Sequence, residues 1–388
     1  MILRRALPLL LVVLALWPGA VRAGEGPGPI DLAGEVTVDI VGVVAGGGDG
    51  RLRVLSNVDL FADLDLVRLV GWRGARAHFD LLDNRGARPN DSAGTLQGVN
   101  NIEVADAGLR LFEAWVEQDL GRGASLRVGL YDLNSEFYST DSAGLLIAPP
   151  FGIGSELSAT GPNGPSIFPS SALAARLYVP VGRSGSFVRL GAINARAQTL
   201  GDPGGVDFSF REGLLLIGEA GHSGKRVRSA LGLWTYTRGR EDLAETDTGG
   251  LPLRKASNGV YATVEGDLLA SGGRQLTTFL RVGFSSPHDT PYRAGLQAGF
   301  LLAPALTARA DSQLSLGLHR AWLSDHYRAA ISAAGGDPAS ETALELTYAD
   351  SLIGRLIVQP DLQWVFNPGG DRAARNALVG TVRLAWGF

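Results

Sequence analysis

The chain has no cysteine and a single methionine. Without thiols it can build no disulfide framework, thiolate metal site or cysteine nucleophile, and an exported protein that never needs a disulfide is compatible with that absence. It has no surplus of positive charge either: 35 Lys and Arg stand against 39 Asp and Glu, a net −4, and lysine is nearly missing. No strongly basic face is offered to anionic lipid or nucleic acid, so nucleic acid is not an expected partner. Past residue 23 the longest purely aliphatic stretch lies around Leu214 to Ile217, far short of the ~20 residues of a membrane-spanning helix. Repeats of roughly 20 to 50 residues and coiled-coil heptads are also lacking, which removes solenoids and long bundles. The 53 glycines show no G-X-Y period, so collagen is excluded and many tight turns are the better use for them.

The first positive signal is at the N-terminus. Arg4 and Arg5 precede an apolar run from Ala6 to Leu16, Pro18 and Gly19 break it, and Val21-Arg22-Ala23 offers small or modest residues at a cleavage site. This is the architecture of a secretory signal peptide, expected over residues 1–23. The apolar run is about half the ~20 residues that an uncleaved anchor needs. Loss of Arg4, Arg5 and Arg22 takes the net charge from −4 to −7 and leaves residues 24–388 as one domain.

Along that domain apolar residues recur with period two, the strand signal. Leu378, Gly380, Val382, Leu384, Trp386 and Phe388 share a face opposite Thr381 and Arg383; Leu126, Val128 and Leu130 oppose Arg127 and Tyr131. Val260, Ala262 and Val264 oppose Tyr261, Thr263 and Glu265, and Leu280, Val282 and Phe284 oppose Phe279 and Arg281. About 16 such segments can be counted, leaving about 23 residues for each strand and connection, enough for a membrane strand of ~9–11 residues and a loop. Short connections at Gly121-Arg122-Gly123, Val181 to Gly185, His222 to Arg226, Ala270 to Arg274 and Asp350 to Ile353 alternate with long ones. The long ones fall near 84–107, 134–169, 195–211, 238–257, 285–292, 322–340 and 367–375; only the first, near Gly46 to Gly50, is shorter than the pattern asks. A soluble β-sandwich has no reason to segregate loop lengths so regularly. Short periplasmic turns and long extracellular loops are the normal asymmetry of an outer-membrane barrel. An exported chain without membrane helices can span a bilayer only as a closed barrel. The expected fold is therefore all-β: a transmembrane antiparallel up-and-down barrel of about 16 strands.

Few residues invite catalytic readings. His78, His222, His288, His319 and His326 have no metal-ligand spacing, so no metal or cofactor is expected. Gly221-His222-Ser223-Gly224 lacks the full nucleophile-elbow pattern, and no helix follows Gly46-Gly47-Gly48-Asp49-Gly50 to make a phosphate cradle. The informative residues are on the polar face. If the small apolar face meets lipid, Glu113, Trp115 and Glu117 look inward, with Arg127, Tyr131, Arg176, Arg189, Glu219, Trp234, Tyr236, Glu265 and Arg281. Carboxylates and guanidinium forks can bond adjacent ring hydroxyls in pairs, while aromatic rings take the apolar face of a pyranose. An ordinary wetted lumen, whose acids and bases only neutralise each other, uses the same composition.

Several ordered segments carry a resemblance. They are Asn101-Ile102-Glu103, Leu111-Phe112-Glu113-Ala114-Trp115-Val116-Glu117-Gln118 and Gly129-Leu130-Tyr131-Asp132-Leu133-Asn134-Ser135-Glu136-Phe137-Tyr138. Phe151-Gly152-Ile153, Ser166-Ile167-Phe168-Pro169, Gly218-Glu219-Ala220, Arg281-Val282-Gly283, Glu345-Leu346-Thr347-Tyr348 and Gln359-Pro360-Asp361-Leu362-Gln363 follow. In these the chain resembles the carbohydrate-selective porins of bacterial outer membranes, the OprB-type family, over roughly residues 97 to 388. The resemblance implies a 16-stranded barrel in the outer membrane of a Gram-negative bacterium, passive uptake of mono- or small oligosaccharides, and contact with outer-membrane lipid and the outer-membrane assembly machinery. It raises sugar binding above the neutral lumen, with Glu113, Trp115, Glu117, Arg127, Tyr131, Arg176, Glu219, Trp234, Glu265 and Arg281 as candidate contacts, Trp115 as a stacking surface and Phe388 as an assembly signal. The chain departs from the family at Leu145-Leu146-Ile147-Ala148-Pro149-Pro150, where a polar stretch is usual, and at Ile193-Asn194-Ala195-Arg196, where Asp-Gly is usual.

Other classes fit less well. A general diffusion or anion porin would use the same barrel without a saturable sugar site, and a structural barrel would show no conductance. A barrel enzyme would need a facing serine, base and orienting group, which cannot be assembled, so no enzyme is expected. The connection around residues 134 to 169 is expected to fold inward, because Pro149, Pro150, Pro162, Pro165 and Pro169 restrict its unfolded ensemble and Leu145, Leu146, Ile147 and Phe151 are poorly placed in open water.

Overall fold

A two-residue period puts alternate side chains on opposite sides of a pleated strand, and among the described residues strands recur from Ile30 to Gly387. The computed structural model describes residues 28–286 and 288–388; the expected signal peptide, 1–23, lies outside the described residues. The first nine strands are β1 (Ile30–Ala45), β2 (Arg53–Asp65), β3 (Ala75–Gly86), β4 (Gly108–Gly121), β5 (Ala124–Tyr131), β6 (Ala172–Val181), β7 (Ser186–Asn194), β8 (Leu214–Ser223) and β9 (Val227–Tyr236). A small hairpin follows, β10 (Arg240–Thr246) with β11 (Pro252–Lys255). The last seven are β12 (Asn258–Ser271), β13 (Arg274–Ser285), β14 (Tyr292–Ala303), β15 (Gln313–Leu323), β16 (Glu341–Ile353), β17 (Leu356–Phe366) and β18 (Ala377–Gly387).

All but β10 and β11 join one closed antiparallel barrel of 16 strands, in which β9 pairs with β12 and β18 returns to β1. Closure gives every strand a neighbour on both sides, which satisfies the backbone without water. The alternation then separates lipid from lumen. On β9, Leu231 and Leu233 are 63% and 60% exposed on the outside, while Trp234 and Tyr236 point inward and are buried.

The short connections fall at the end of the barrel where β1 begins and β18 finishes, and the long ones at the opposite end. Three details differ from expectation. β16 runs through Asp350 to Ile353, and the turn comes at Gly354 and Arg355, where Gly354 takes the left-handed conformation (φ 58°) that a two-residue hairpin requires. Two connections on the short side are longer: residues 66–74, which hold a helical turn at Leu66–Val70, and residues 304–312. The fifth loop, 237–257, carries the β10–β11 hairpin, two strands beyond the 16 counted from sequence.

The lumen is partly filled by the chain itself. The second loop (87–107) and the third (132–171) turn inward, and Val99, Ile102, Leu146, Ile147, Phe151 and Leu157 are buried inside the barrel.

Candidate functional site

The third loop is held by inward carboxylates that accept its backbone N–H groups. Glu345 on β16 accepts from Ile147 and Ala148, the latter at 3.0 Å. Glu265 on β12 accepts from Ser142 N and Oγ at 2.9 and 2.7 Å, and Glu219 on β8 accepts from Tyr138 N at 3.2 Å. Arg281 on β13 supplies the opposite polarity, its guanidinium donating to the carbonyls of Phe151 and Gly152. The apolar tip has a matching notch: a side chain at Gly317 would begin 2.4 Å from the Phe151 ring and 2.6 Å from Leu146. Leu146 and Phe151 join Phe279 in a small core there, so the apolar stretch where the family is usually polar is the buried face of the loop. Within the loop the Tyr138 hydroxyl donates to Glu156 at 2.6 Å, and burial pushes that carboxyl up from its ordinary range.

A charged cavity lies towards the short-turn end of the barrel, where Gly74, Gly123 and Ala124 form part of its lining. Strand register aligns Glu117 on β4, Arg127 on β5 and Arg176 on β6 in one row. Glu117 pairs with Arg127 at 2.7 Å and with Arg176 at 2.8 Å. Glu136, at the start of the third loop, reaches back among the arginines, accepting from Arg176 at 2.7 Å and from the Tyr131 hydroxyl at 2.6 Å, with Arg127 at 3.6 Å and Arg189 at 3.9 Å. Glu117, Arg127, Glu136 and Arg176, with Arg76 and Tyr178, line a cavity of about 550 Å³, a volume in the range of small-molecule sites.

Beside the row, rings stack across strands: Phe61 on His78 at 6.2 Å and His78 on Trp115 at 5.1 Å. From the opposite neighbouring strand, the Arg127 guanidinium lies 3.7 Å over the Trp115 ring. Gly129 faces Trp115 in the register, and a side chain there would begin 2.6 Å from the Trp115 Cα.

The ten sequence-predicted residues thus fall into three sets. Glu117, Arg127 and Arg176 line the cavity. Glu113, Trp115 and Tyr131 stand behind it: Glu113 accepts from Asp132 N at 2.9 Å, and Trp115 is covered on both faces by His78 and Arg127, so it holds a guanidinium and offers no open stacking surface. Glu219, Trp234, Glu265 and Arg281 serve the third loop, and Arg281 has no exposed surface to give a solute because that loop lies over it. Glu265 also borders a second cavity of about 310 Å³ with Asp141 and Arg228. Glu136 and Tyr178 were not expected. Tyr178 follows Arg176 by two residues, so the strand period carries its signal; Glu136 sits in a loop, where no period applies.

Comparison with known proteins bears on this arrangement. A family model described as carbohydrate-selective porin, OprB family, matches residues 50–388. No curated protein sequence matches. Among solved structures, the high-pH structure of Pseudomonas putida OprB aligns with a TM-score of 0.83 at 21% identity, covering 93% of this chain and 94% of that one. The channel DcaP of Acinetobacter baumannii gives 0.57 at 11% identity, covering 92% and 97%, and an anion-selective porin from Comamonas acidovorans gives 0.53 at 15%, covering 92% and 99%. At these identities the structural likeness speaks for the fold.

Proposed function

This chain belongs to the carbohydrate-selective porin family OprB, an outer-membrane channel for sugars, and from that premise we propose how its lumen selects them. Sugars pass the cavity bounded by Glu117, Arg127, Glu136, Arg176 and Tyr178. The observation that carries this reading is the row of Glu117, Arg127 and Arg176 across neighbouring strands, with Glu136 facing three arginines. Such a row presents acceptors and fixed N–H forks side by side, and a sugar's vicinal hydroxyls, each donor and acceptor, can bridge them. Tyr178, half-buried and on the cavity wall, supplies the apolar platform in place of Trp115. Because each charge is already paired, the row carries little net field, which suits neutral solutes over ions. Transit requires weak binding, of about millimolar order, or the sugar would stay. The residues bind and steer without making or breaking bonds.

The same reading covers delivery and surroundings. Residues 1–23 direct export, the apolar belt of Leu231, Leu233, Val260 and Leu280 contacts outer-membrane lipid, and the barrel is inserted by the outer-membrane assembly machinery.

Single channels in a planar bilayer, blocked by a panel of mono- and disaccharides, test the assignment. Glu117→Gln, Glu136→Gln and Tyr178→Ala are expected to weaken block by roughly 1 to 3 kcal/mol, the scale of a charge-assisted hydrogen bond, while the channels still conduct. Wild-type block in all three would mean that these side chains only wet the lumen.

A further inference from the structure

The outer mouth gathers a cluster that the sugar path does not use. Asp242 on β10, His288 in the sixth loop (286–291) and His326 in the seventh (324–340) bring one ligand atom each to within 4.8 Å of one another. We propose that these three residues form a binding site for a late first-row divalent cation such as Zn²⁺, clamping the fifth, sixth and seventh loops together.

The donor set is the first argument. Two imidazoles and a carboxylate are the nitrogen and oxygen ligands that Zn²⁺, Co²⁺, Ni²⁺ and Cu²⁺ take, whereas Mg²⁺ and Ca²⁺ prefer oxygen alone. Three protein ligands leave a fourth position for water.

Geometry is the second. Asp242 Oδ2 and His288 Nδ1 lie 3.1 Å apart, close to the ~3.4 Å edge of a tetrahedron with bonds of about 2.1 Å. The His288 and His326 rings approach to 6.3 Å, and rotation of the half-buried His326 about its side-chain bonds closes the rest.

The surroundings are the third argument. The Asp242 side chain is fully buried, and its Oδ1 accepts from the N–H groups of Ala244 and Glu245 at 2.9 Å each, which aims Oδ2 at the histidines. Second-shell bonds of this kind fix metal ligands. Leu243 N donates to the His288 carbonyl at 2.9 Å, and Ser324 caps the helix that carries His326, so neither histidine hangs on free chain. Lys255 lies 3.0 Å from Asp242 Oδ2 and occupies part of the space, but it also holds Glu245 at 2.6 Å. An arriving dication displaces an ammonium that already has a second carboxylate.

The test uses full-length mature barrel, purified in detergent without a polyhistidine tag and stripped with chelator. Zn²⁺ is titrated by calorimetry, and Co²⁺ by the visible absorption of a low-coordinate cobalt site. One equivalent of tight binding is expected. Asp242→Asn, His288→Gln and His326→Gln should each weaken it at least about tenfold, with His78→Gln and His222→Gln unchanged and heat-modifiable mobility confirming that each variant is a folded barrel. Failure of the wild type to bind one equivalent, or wild-type affinity in any of the three ligand variants, overturns the site. Neither result touches the sugar reading.

Discussion

Arg127 shows what one residue's surroundings add to its position in a strand. Period two places it in the lumen, but its partners, Glu117 at 2.7 Å and the Trp115 ring at 3.7 Å, come from register and from a ring held between two strands. Trp115→Leu removes the cation–π contact and should loosen Arg127, weakening sugar block by about 0.5 to 2 kcal/mol; unchanged block in single-channel records would show that Arg127 is held by Glu117 alone. At Asp132, just past β5, burial and the nearby Glu113 push the carboxyl up to about 8. The sign follows from linkage: a carboxyl neutral in the folded state and ionised when unfolded stabilises fully below about pH 4 and progressively less as pH rises to about 8. Melting temperatures of the purified barrel should therefore fall across that interval, and Asp132→Asn should flatten the fall. An equal slope in wild type and variant would assign it to other groups.

At the scale of elements, the third loop explains why four of the ten predicted contacts are anchors. Its length, prolines and apolar tip were legible in the sequence, and so was its inward path. What it would rest on was not: Glu345 meets Ile147 across 198 residues of chain and Glu265 meets Ser142 across 123, separations that leave no local pattern. Inward acids spaced along strands look alike from sequence whether they face solute or a loop's N–H groups, and only the covering loop distinguishes them. The grouping of Asp242, His288 and His326 was hidden in the same way, because a cluster assembled from three loops has no spacing to read. Removing residues 145–165 should raise single-channel conductance several-fold and leave the barrel assembled. Gly317→Leu fills the notch that receives Phe151 and Leu146, and overpacking costs about 1 to 3 kcal/mol, so it should give unsteady, higher conductance from a full-length chain. Wild-type conductance in both would mean that the loop is not what narrows the lumen.

The whole molecule depends on one seam, where the last strand meets the first. β1 and β18 pair from Glu35 with Gly387 to Ala45 with Leu378, so contacts between the chain's two ends close the cylinder. Inside the seam Arg383 grips Asp39 through two bonds of 2.8 and 2.7 Å, and Asn100 of the second loop donates to the same carboxylate at 2.6 Å. At its rim Gly34 and Phe388 exchange both backbone hydrogen bonds at 2.9 Å, and Phe388 lies where a side chain on residue 34 would begin 2.4 Å from its ring. The alternation of the terminal segment announced the strand, but Asp39 as partner could not be read, since the two residues are 344 apart. The two ends of the seam should fail differently. Arg383→Met strands the Asp39 carboxylate in a buried setting, a loss of about 3 to 5 kcal/mol, and should lower the thermal stability of barrel that has already assembled. Deleting Phe388 removes the rim pair and the ring contact with Trp386 but leaves the interior of the seam, so purified barrel should keep most of its stability, while the amount of heat-modifiable barrel in outer-membrane fractions drops several-fold because the last strand engages the first less readily. If the deletion left membrane levels unchanged, Phe388 would have no part in assembly and closure would rest on the interior pair.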